Sequence, residues 1–321
     1  MNQMKPKMLL GSALAFIALM AFVPWSASAE DAFPWLRLGA GAQSIGVGGA
    51  VTATVDDATA TVWNPAGLAS VKNTTFTVST FNKGFDARQS FLGIAHNLGG
   101  GSIGLAVSGV TVDDLEHRDA NDIRRGTFRA NSNAVSLSYG HMFGNIGIGI
   151  GVGVLTDVYS LDAERVNGVR GADIGIIGRR THTTPSGKEI PVFTYGLAVR
   201  NLGSSYSGNH SESAVPMLVD AGVAFKLPRK GAGVTFSFDV EHEFAELVES
   251  TTSARIGAEY MISKRFAIRG GARGSQDHQS LFGGFGVNVG ALQIDYALQD
   301  APASRLMESG TTHHVSMSYS Y

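Results

Sequence analysis

Residues 145–155 read N-I-G-I-G-I-G-V-G-V-L, with an aliphatic side chain at every second position and a glycine at most positions between. Successive side chains of a β-strand point to opposite faces, so the stretch predicts a strand with one apolar face and one bare face. Glycine is a poor strand former and gives a soluble sheet nothing to pack. The bare face therefore indicates that another segment approaches this strand closely.

The same period-two alternation recurs from Thr74 to the last residue. In 234–241, for example, valine and phenylalanine alternate with threonine, serine and acidic residues. Segments of this kind suit tilted membrane strands, which need about 9–11 residues. The alternation predicts fourteen strands, near 74–82, 89–97, 102–111, 132–142, 145–158, 172–178, 193–201, 216–226, 231–242, 252–262, 265–274, 280–288, 290–298 and 312–321.

The connections between these strands alternate in length. Those after even-numbered strands are mostly tight, whereas those after odd-numbered strands are mostly long and polar; 179–192 and 276–279 are the exceptions. Short turns at one end and longer loops at the other, on an even strand count, are typical of outer-membrane barrels. We therefore predict an all-β fold, a 14-stranded antiparallel transmembrane outer-membrane β-barrel. The alternative is a soluble β-sandwich, whose outer face should be polar rather than glycine and alanine.

The composition excludes several classes of protein. The chain has 41 glycines and 16% charged residues, against about 25% charged residues in an ordinary soluble domain. Its formal net charge of −2 argues against nucleic-acid binding, which needs a strong basic surplus. It contains no cysteine, so disulfides and thiolate chemistry are excluded.

Residues 1–29 have the pattern of a secretory signal peptide. Lys5 and Lys7 precede the apolar run 8–23, and Ala27-Ser28-Ala29 fits a cleavage site. The alternative, a membrane anchor, needs about 20 apolar residues, and this run is short for that. We therefore expect residues 1–29 to be a signal peptide that is removed during export.

Residues 30–72 lack sustained alternation and precede the barrel at 73–321. A barrel of fourteen strands is too wide to be filled by its own side chains, since about eight strands is the limit. The apolar, small-residue segment 30–72 is therefore predicted to be a hatch inside the barrel. Within it, Asp57 to Val62 is predicted to form a short helix that ends before Pro65.

Several motifs give the chain a resemblance to a known family. They are L-R-L-G-A-G-A at 36–42, G-G-A at 48–50, D-D-A-T-A at 56–60, W-N-P-A-G-L-A at 63–69, G-L-A-V-R-N-L-G at 196–203, R-I-G-A-E-Y at 255–260, 267–271 and L-Q-I-D-Y-A at 292–297. With these motifs, nearly all of the chain after the signal resembles the PorV/PorQ family of outer-membrane proteins, relatives of the FadL-like barrels. The resemblance implies fourteen strands and an N-terminal hatch with an Asn-Pro-Ala turn. Its hatch motif residues would be Arg37, Asp56, Asp57, Trp63, Asn64, Pro65 and Gly67.

Two further sets of residues are predicted to have roles in the barrel. By alternation, six charged side chains should point into the lumen and form a network, either to pair with one another and anchor the hatch or to line a route past it: Asp239, Arg255, Glu259, Arg269, Arg273 and Asp295. The last strand ends in an aromatic residue, as in barrels whose final strand is recognised by the insertion machinery. That C-terminal insertion signal would be Val315, Met317, Tyr319 and Tyr321.

The sequence offers no catalytic constellation, cofactor motif or metal-ligand spacing. The match to G-x-S-x-G at 100–104 is accidental, because its serine opens a strand instead of following one. We therefore expect a non-enzymatic barrel in the cell outer membrane, with outer-membrane lipid and the insertion machinery as partners. The resemblance implies passive transport of a hydrophobic or amphipathic small molecule. The alternative is a PorV-like carrier that receives a secreted-protein substrate in type IX secretion.

Overall fold

A computed structural model describes residues 34–83, 87–119, 121–159, 164–183, 187, 189–203, 205–207, 215–229, 232–244, 250–275, 279–301 and 310–321. The predicted signal peptide, residues 1–29, lies outside the described residues. Fifteen strands are present in the described part of the chain: β1 Thr75–Lys83, β2 Ala87–Asn97, β3 Ser102–Arg118, β4 Arg124–Phe143, β5 Ile146–Tyr159, β6 Glu164–Thr183, β7 Glu189–Leu202, β8 Ser205–Ser207, β9 Met217–Arg229, β10 Ala232–Phe244, β11 Thr251–Ile262, β12 Phe266–Gly274, β13 Gln279–Val289, β14 Leu292–Ala301 and β15 Gly310–Ser320.

All strands except β8 form one closed antiparallel barrel. Each of these fourteen strands pairs with its neighbours along the chain, and β1 pairs with β15 to close the cylinder. The three-residue β8 pairs only with β6, beyond the point where β7 leaves it. Closure leaves no free sheet edge, so the backbone groups of the wall are hydrogen-bonded within it. The predicted 14-stranded antiparallel barrel is therefore confirmed as a fold.

The two ends of the barrel differ. At one end, here called the turn end, tight turns join β2 to β3, β4 to β5, β11 to β12 and β13 to β14. At the other, the hairpin end, β3 and β4 run on as a long hairpin whose residues are mostly exposed on both faces. The prediction ended β3 at residue 111 and began β4 at residue 132. These limits were too short, because a hairpin that leaves the apolar band loses its apolar face and with it the alternating signal.

The outer face of the barrel is an apolar band. In β5, Ile146, Ile148, Ile150, Val152 and Val154 are between 41% and 58% exposed, as predicted for the apolar face of residues 145–155. Other strands contribute similarly exposed apolar or aromatic residues: Phe76, Leu92, Leu105, Leu137, Ile176, Phe225, Phe236, Ile256, Ile268, Phe285, Ile294 and Met317. The outward face of the sheet therefore carries large apolar side chains, and the inward face carries small or polar ones.

The hydrophobic core is made by residues 34–72, here called the N-terminal segment. This segment contains a 3₁₀ helix at Pro34–Arg37, short α-helices at Ala42–Gly46 and Ala60–Trp63, and a second 3₁₀ helix at Pro65–Ser70. The helix predicted at 57–62 begins three residues later and ends before Asn64, whose backbone is extended. The buried apolar side chains of the N-terminal segment form the largest hydrophobic cluster. Only a few wall residues belong to it, such as Ala95, Ile177 and Ala297. Among the described residues, no helix is long and apolar enough to span a membrane.

Candidate functional site

Glycines on the inward face of β5 and β6 let the N-terminal segment lie directly on the wall. A Cβ added to Gly149 would fall well within 3.0 Å of the Pro65 backbone, and one added to Gly175 would overlap the Asn64 amide. A Cβ on Gly147 would lie 3.1 Å from the Ala69 Cβ. At Gly147 and Gly149, the segment therefore occupies the space that a side chain would need, whereas a Cβ on Gly151 or Gly153 of the same strand would meet wall residues such as Ser138 and Arg170.

Asn64 connects three parts of the molecule. Its side chain is fully buried, and its Nδ2 donates to the Thr52 carbonyl at 2.7 Å and to the Leu197 carbonyl of β7 at 3.5 Å. Its Oδ1 accepts from the Ala66 amide at 3.1 Å, which caps the second 3₁₀ helix. Because Pro65 follows it, this cap also ends the preceding α-helix.

The neighbouring motif residues fill the interior of the segment. The Trp63 indole donates its Nε1–H to the Ala40 carbonyl at 2.9 Å. Its ring covers Gly39, whose φ of +70° is a left-handed conformation that favours glycine. Gly67 leaves no room for a side chain, because a Cβ there would lie 2.5 Å from the Val55 carbonyl. These residues fold the segment onto itself.

Five charged residues on consecutive wall strands form the arginine cluster, defined as Arg200, Asp220, Glu241, Arg255 and Arg273. Arg200 pairs with Asp220 at 2.8 Å and with Glu241 at 2.7 Å. Arg255 pairs with Asp220 at 3.2 Å and also with Glu241, which Arg273 contacts at 2.8 Å. All but Arg273 are almost completely buried, so the pairs have little competition from water.

The arginine cluster also contacts the N-terminal segment. Arg200 donates to the Val62 carbonyl at 3.2 Å, and Arg255 donates to the Gly49 carbonyl at 3.5 Å. The Arg255 guanidinium lies 5.7 Å from the centre of the Trp63 ring, within cation–π range. The ionic side of the lumen therefore holds the segment through charged donors, whereas β5 and β6 hold it through close packing.

Asp239 adds one more contact to this side. It is fully buried, and its Oδ2 accepts from the Thr52 amide at 2.8 Å. On the same strand, β10, Glu243 pairs with Arg37 of the segment at 2.7 Å. Both carboxylates thus contact residues near the beginning or the middle of the segment.

A second charged group lies on β11, β12 and β14. Arg269 pairs with Glu259 at 2.7 Å and with Asp295 at 2.7 Å. Gln293 donates to Asp295 at 2.8 Å and to the Gln43 side chain of the segment at 2.7 Å. The structure therefore divides the six charged residues singled out in the sequence between two groups: Asp239, Arg255 and Arg273 near one, and Glu259, Arg269 and Asp295 in the other.

Three members of the arginine cluster were not among those six residues. Arg200, Asp220 and Glu241 occupy the inward positions of β7, β9 and β10, in step with Ala198, Gly222 and other small residues. The alternation alone could have found them, since each stands on the small-residue face of its strand. What it could not supply is the cross-strand register that brings them together.

The two adjacent acidic residues of the hatch motif, Asp56 and Asp57, have different surroundings. Asp56 is exposed. Asp57 is half-buried, and its Oδ1 accepts from the Thr59 amide at 2.8 Å and from the Thr59 hydroxyl at 2.5 Å. Burial raises the pKa of Asp57 to about 6, with Asp56 adding to the rise and the Thr59 hydrogen bonds opposing it. Neither carboxylate forms an ion pair with a wall arginine or lysine in the described part of the chain.

Two spaces in or beside the lumen have contrasting linings. A cavity of about 140 Å³ separates residues 43–57 of the segment from β9, β10 and β11 near the turn end, and most of its lining is polar. Toward the hairpin end, Trp35 and Leu155 are buried in a separate apolar cluster with Ala134 and Val215. Hydroxyl, carboxylate and ammonium groups thus meet at one end, and an apolar patch stands near the other.

The predicted insertion-signal residues lie on the outer face of β15 and just beyond it. Val315, Met317, Tyr319 and Tyr321 are all exposed, and the Tyr321 ring stacks on Phe76 of β1 at 6.2 Å. No group of three or more histidine or acidic side chains suited to a metal ion is found in the described ranges.

Solved structures share this fold at low sequence identity. The TodX monoaromatic hydrocarbon channel, as a deltaS2S3 mutant, matches with a TM-score of 0.58 and 13% identity over 88% of this chain and 98% of the channel chain. The deltaS2 mutant of the same channel matches with the same values. No protein-family profile and no curated protein sequence matches the chain. The chain therefore shares the barrel fold of these channels, and the FadL-like and PorV/PorQ assignments stay predictions.

Proposed function

We propose that this chain is an outer-membrane barrel that carries hydrophobic or amphipathic small molecules passively, with residues 30–72 as the hatch. What supports the proposal is that the N-terminal segment contacts inward-facing residues of the wall, in a barrel that shares the fold of hydrocarbon channels. A wide barrel without such a filling would leave an open aqueous channel. A barrel that is filled by such a segment lets a solute pass only when the segment moves.

The outer surface supports a membrane location. Large apolar side chains are exposed on strand after strand around the wall, and a soluble protein rarely leaves so continuous an apolar surface uncovered. Such a band is what the hydrocarbon region of a bilayer covers in transmembrane barrels. Residues 1–29, acting as a cleaved signal, and the outward aromatic end of β15, read by the insertion machinery, would account for delivery to that membrane.

The charged side chains fit the anchoring role better than a route past the hatch. Each arginine of the arginine cluster has a carboxylate partner, and two of them also donate to carbonyls of the segment. A hydrocarbon gains nothing from such a lining, since paired charges stripped of water need their partners. We therefore assign the arginine cluster to holding the hatch. We assign the apolar cluster around Trp35 to the first contact with an apolar ligand.

A disulfide between the segment and the wall tests the hatch directly. A Cβ on Gly46 would lie 3.6 Å from the Ala297 Cβ of β14, within the separation of about 3.5–4.5 Å that a disulfide requires. The chain has no native cysteine, so the pair Gly46→Cys and Ala297→Cys can form only one bridge. Uptake of radiolabelled toluene by cells producing this variant should stop on oxidation and return on reduction.

A matched bridge elsewhere serves as the control. Thr75 and Ser320 face each other across the β1–β15 pair, with side-chain oxygens 3.1 Å apart. A disulfide between cysteines at these positions joins two wall strands and leaves the segment free, so toluene uptake should continue in the oxidised state. Equal uptake by the oxidised and reduced Gly46–Ala297 variant would contradict the hatch. Absence of uptake by the unmodified protein would contradict the transport of this class of solute.

No feature of the described residues favours the alternative of a carrier in protein secretion. The most prominent projection is the β3–β4 hairpin, and its charged side chains are largely paired with one another.

A further inference from the structure

The cavity near the turn end is built from both the N-terminal segment and the wall. Lys226, Thr235 and Glu259 are register partners on β9, β10 and β11, close to the turns that end these strands. The segment closes the other side with its residues between 43 and 57. The full lining is Gln43, Ser44, Val47, Val51, Thr54, Val55, Asp56, Asp57, Lys226, Thr235, Ser237 and Glu259. Its volume of about 140 Å³ is close to that of protein cavities that hold one six-carbon ligand.

The charges of this lining do not balance. Asp56, Asp57 and Glu259 are acidic, and Lys226 is the single basic residue among those that line the cavity. Glu259 is neutralised by Arg269 at 2.7 Å. Asp56 interacts electrostatically with Arg179 of β6, but Asp57 has no such partner in the described part of the chain, and the charged groups that shift its pKa, Asp56 and Asp295, are both acidic. The cavity therefore carries an unneutralised negative charge at Asp57 when that carboxyl is ionised.

Several oxygen atoms of the lining are free to accept hydrogen bonds. Ser44 is 6% exposed and its hydroxyl has no hydrogen-bond partner within the described residues, although it lines the cavity. Asp57 uses only Oδ1 to bind Thr59, so its Oδ2 remains open. The Ser44 Oγ is accessible from the cavity that the residue lines, so a guest in the cavity can form a hydrogen bond with it. The Asp57 Oδ2 can only accept, and the Ser44 hydroxyl can accept as well as donate, so a guest with N–H donors suits both groups.

We propose that this cavity binds a small organic ammonium ion. An alkylammonium group has three N–H donors and one positive charge, which suit the Asp57 carboxylate, the Ser44 hydroxyl and the exposed Asp56. The aliphatic part would lie against Val47, Val51 and Val55. The site requires no movement of the N-terminal segment, so it is independent of the hatch function.

Calorimetric titration of the mature protein in detergent micelles with n-butylammonium chloride tests the site. At about pH 8, where Asp57 is ionised, saturable binding is expected, and n-butanol of the same size should bind far more weakly. Asp57→Asn should weaken butylammonium binding about ten-fold or more, and Asp56→Asn and Ser44→Ala should weaken it several-fold. Lys226→Met should strengthen it, because it removes the like charge.

Control variants keep these outcomes separable. Asp122→Asn removes an exposed carboxylate from the β3–β4 hairpin and should leave butylammonium binding unchanged. Asp56 is exposed, so Asp56→Asn reports on the site even if Asp57→Asn fails to fold. The proposal is overturned if butylammonium does not bind, if butanol binds equally well, or if Lys226→Met weakens binding. The last result would mean that Lys226 supports the cavity instead of repelling the bound cation.

Discussion

At the scale of single residues, Gly149 leaves no room for a side chain. A side chain there would collide with the Pro65 backbone, whereas Gly283, on the outer face of β13, has no atom within 4 Å of an added Cβ. We expect Gly149→Val to displace the N-terminal segment, since overpacking costs about 1–3 kcal/mol. Gly283→Val should leave the segment in place.

A buried reporter cysteine can measure that displacement. Thr61 is 1% exposed and can be replaced by cysteine of similar size in a chain without native cysteine. Its labelling by a soluble maleimide should be about ten-fold faster or more when Gly149 is valine. Slow labelling in both glycine variants would mean that the segment does not depend on the glycine face of the wall.

Asp57 makes stability depend on pH. Its pKa is raised to about 6 from an ordinary value of 3.8, so the folded protein binds a proton more tightly than the unfolded chain does. The contribution is therefore favourable below pH 4 and is lost as the pH rises through 6. A shift of this size corresponds to roughly 3 kcal/mol, and solvent contact of the half-buried side chain keeps the effect below that.

Denaturant unfolding of the wild type and Asp57→Asn between pH 4 and 8 checks this sign. The wild type should lose stability relative to the asparagine variant across that window, even though Asp56, Glu259, Lys226 and Asp295 also face the site. A difference between the two proteins that is constant with pH would mean that Asp57 titrates as an exposed carboxyl does.

At the scale of strands, the same kind of ion pair has unequal importance at two places. The β3–β4 hairpin pairs Arg118 with Glu116 at 3.0 Å on the exposed surface, where water and salt leave such pairs with little effect on stability. Arg255 joins β11 to β9 and β10 out of contact with water. Its removal leaves Asp220 and Glu241 short of a positive charge, which costs about 3–5 kcal/mol.

Arg255→Met should therefore lower the free energy of unfolding by several times more than Arg118→Gln. Denaturant titration in one detergent, with both variants in parallel, measures the two changes. Equal effects would indicate that the arginine cluster is solvated in the folded protein.

The strands themselves could be predicted from the sequence because one physical rule governs them all. An apolar residue at every second position marks a wall strand wherever the outer face is apolar, and residues 146–154 of β5 show this alternation without interruption. The rule fails where the strands leave the apolar band, as in β3 and β4, because solvent then faces both sides. It also cannot place Arg200 beside Asp220, since the registers of β7 and β9 depend on hydrogen bonds between strands.

At the scale of the whole molecule, this barrel reverses the usual placement of apolar groups. Its outer wall carries the large apolar side chains, and most of the buried apolar cluster belongs to a segment that precedes the first strand and contacts inward-facing wall residues. The resemblance to hatch-bearing barrels predicts a hatch at residues 30–72, and that assignment stays a prediction. The contacts that hold the segment, glycine on one side and arginine on the other, became visible only with the register of all fourteen strands.

This reversed placement predicts where the tryptophans lie relative to lipid. Trp35 and Trp63 are both buried within the N-terminal segment and its surroundings, 8% and 3% exposed, and the remaining Trp25 belongs to the predicted signal peptide. In vesicles of brominated lipid, which quenches tryptophan on contact, the mature protein should keep most of its fluorescence. Phe236→Trp adds a third indole to the mature protein and places it on the outer face, at a position 48% exposed, so its added fluorescence should be strongly quenched.

If the native tryptophans are quenched as strongly as the one at position 236, the segment lies against lipid and not inside the barrel. If neither is quenched, the apolar band is not in a bilayer, because a lipid-facing indole at the middle of β10 has no other shield.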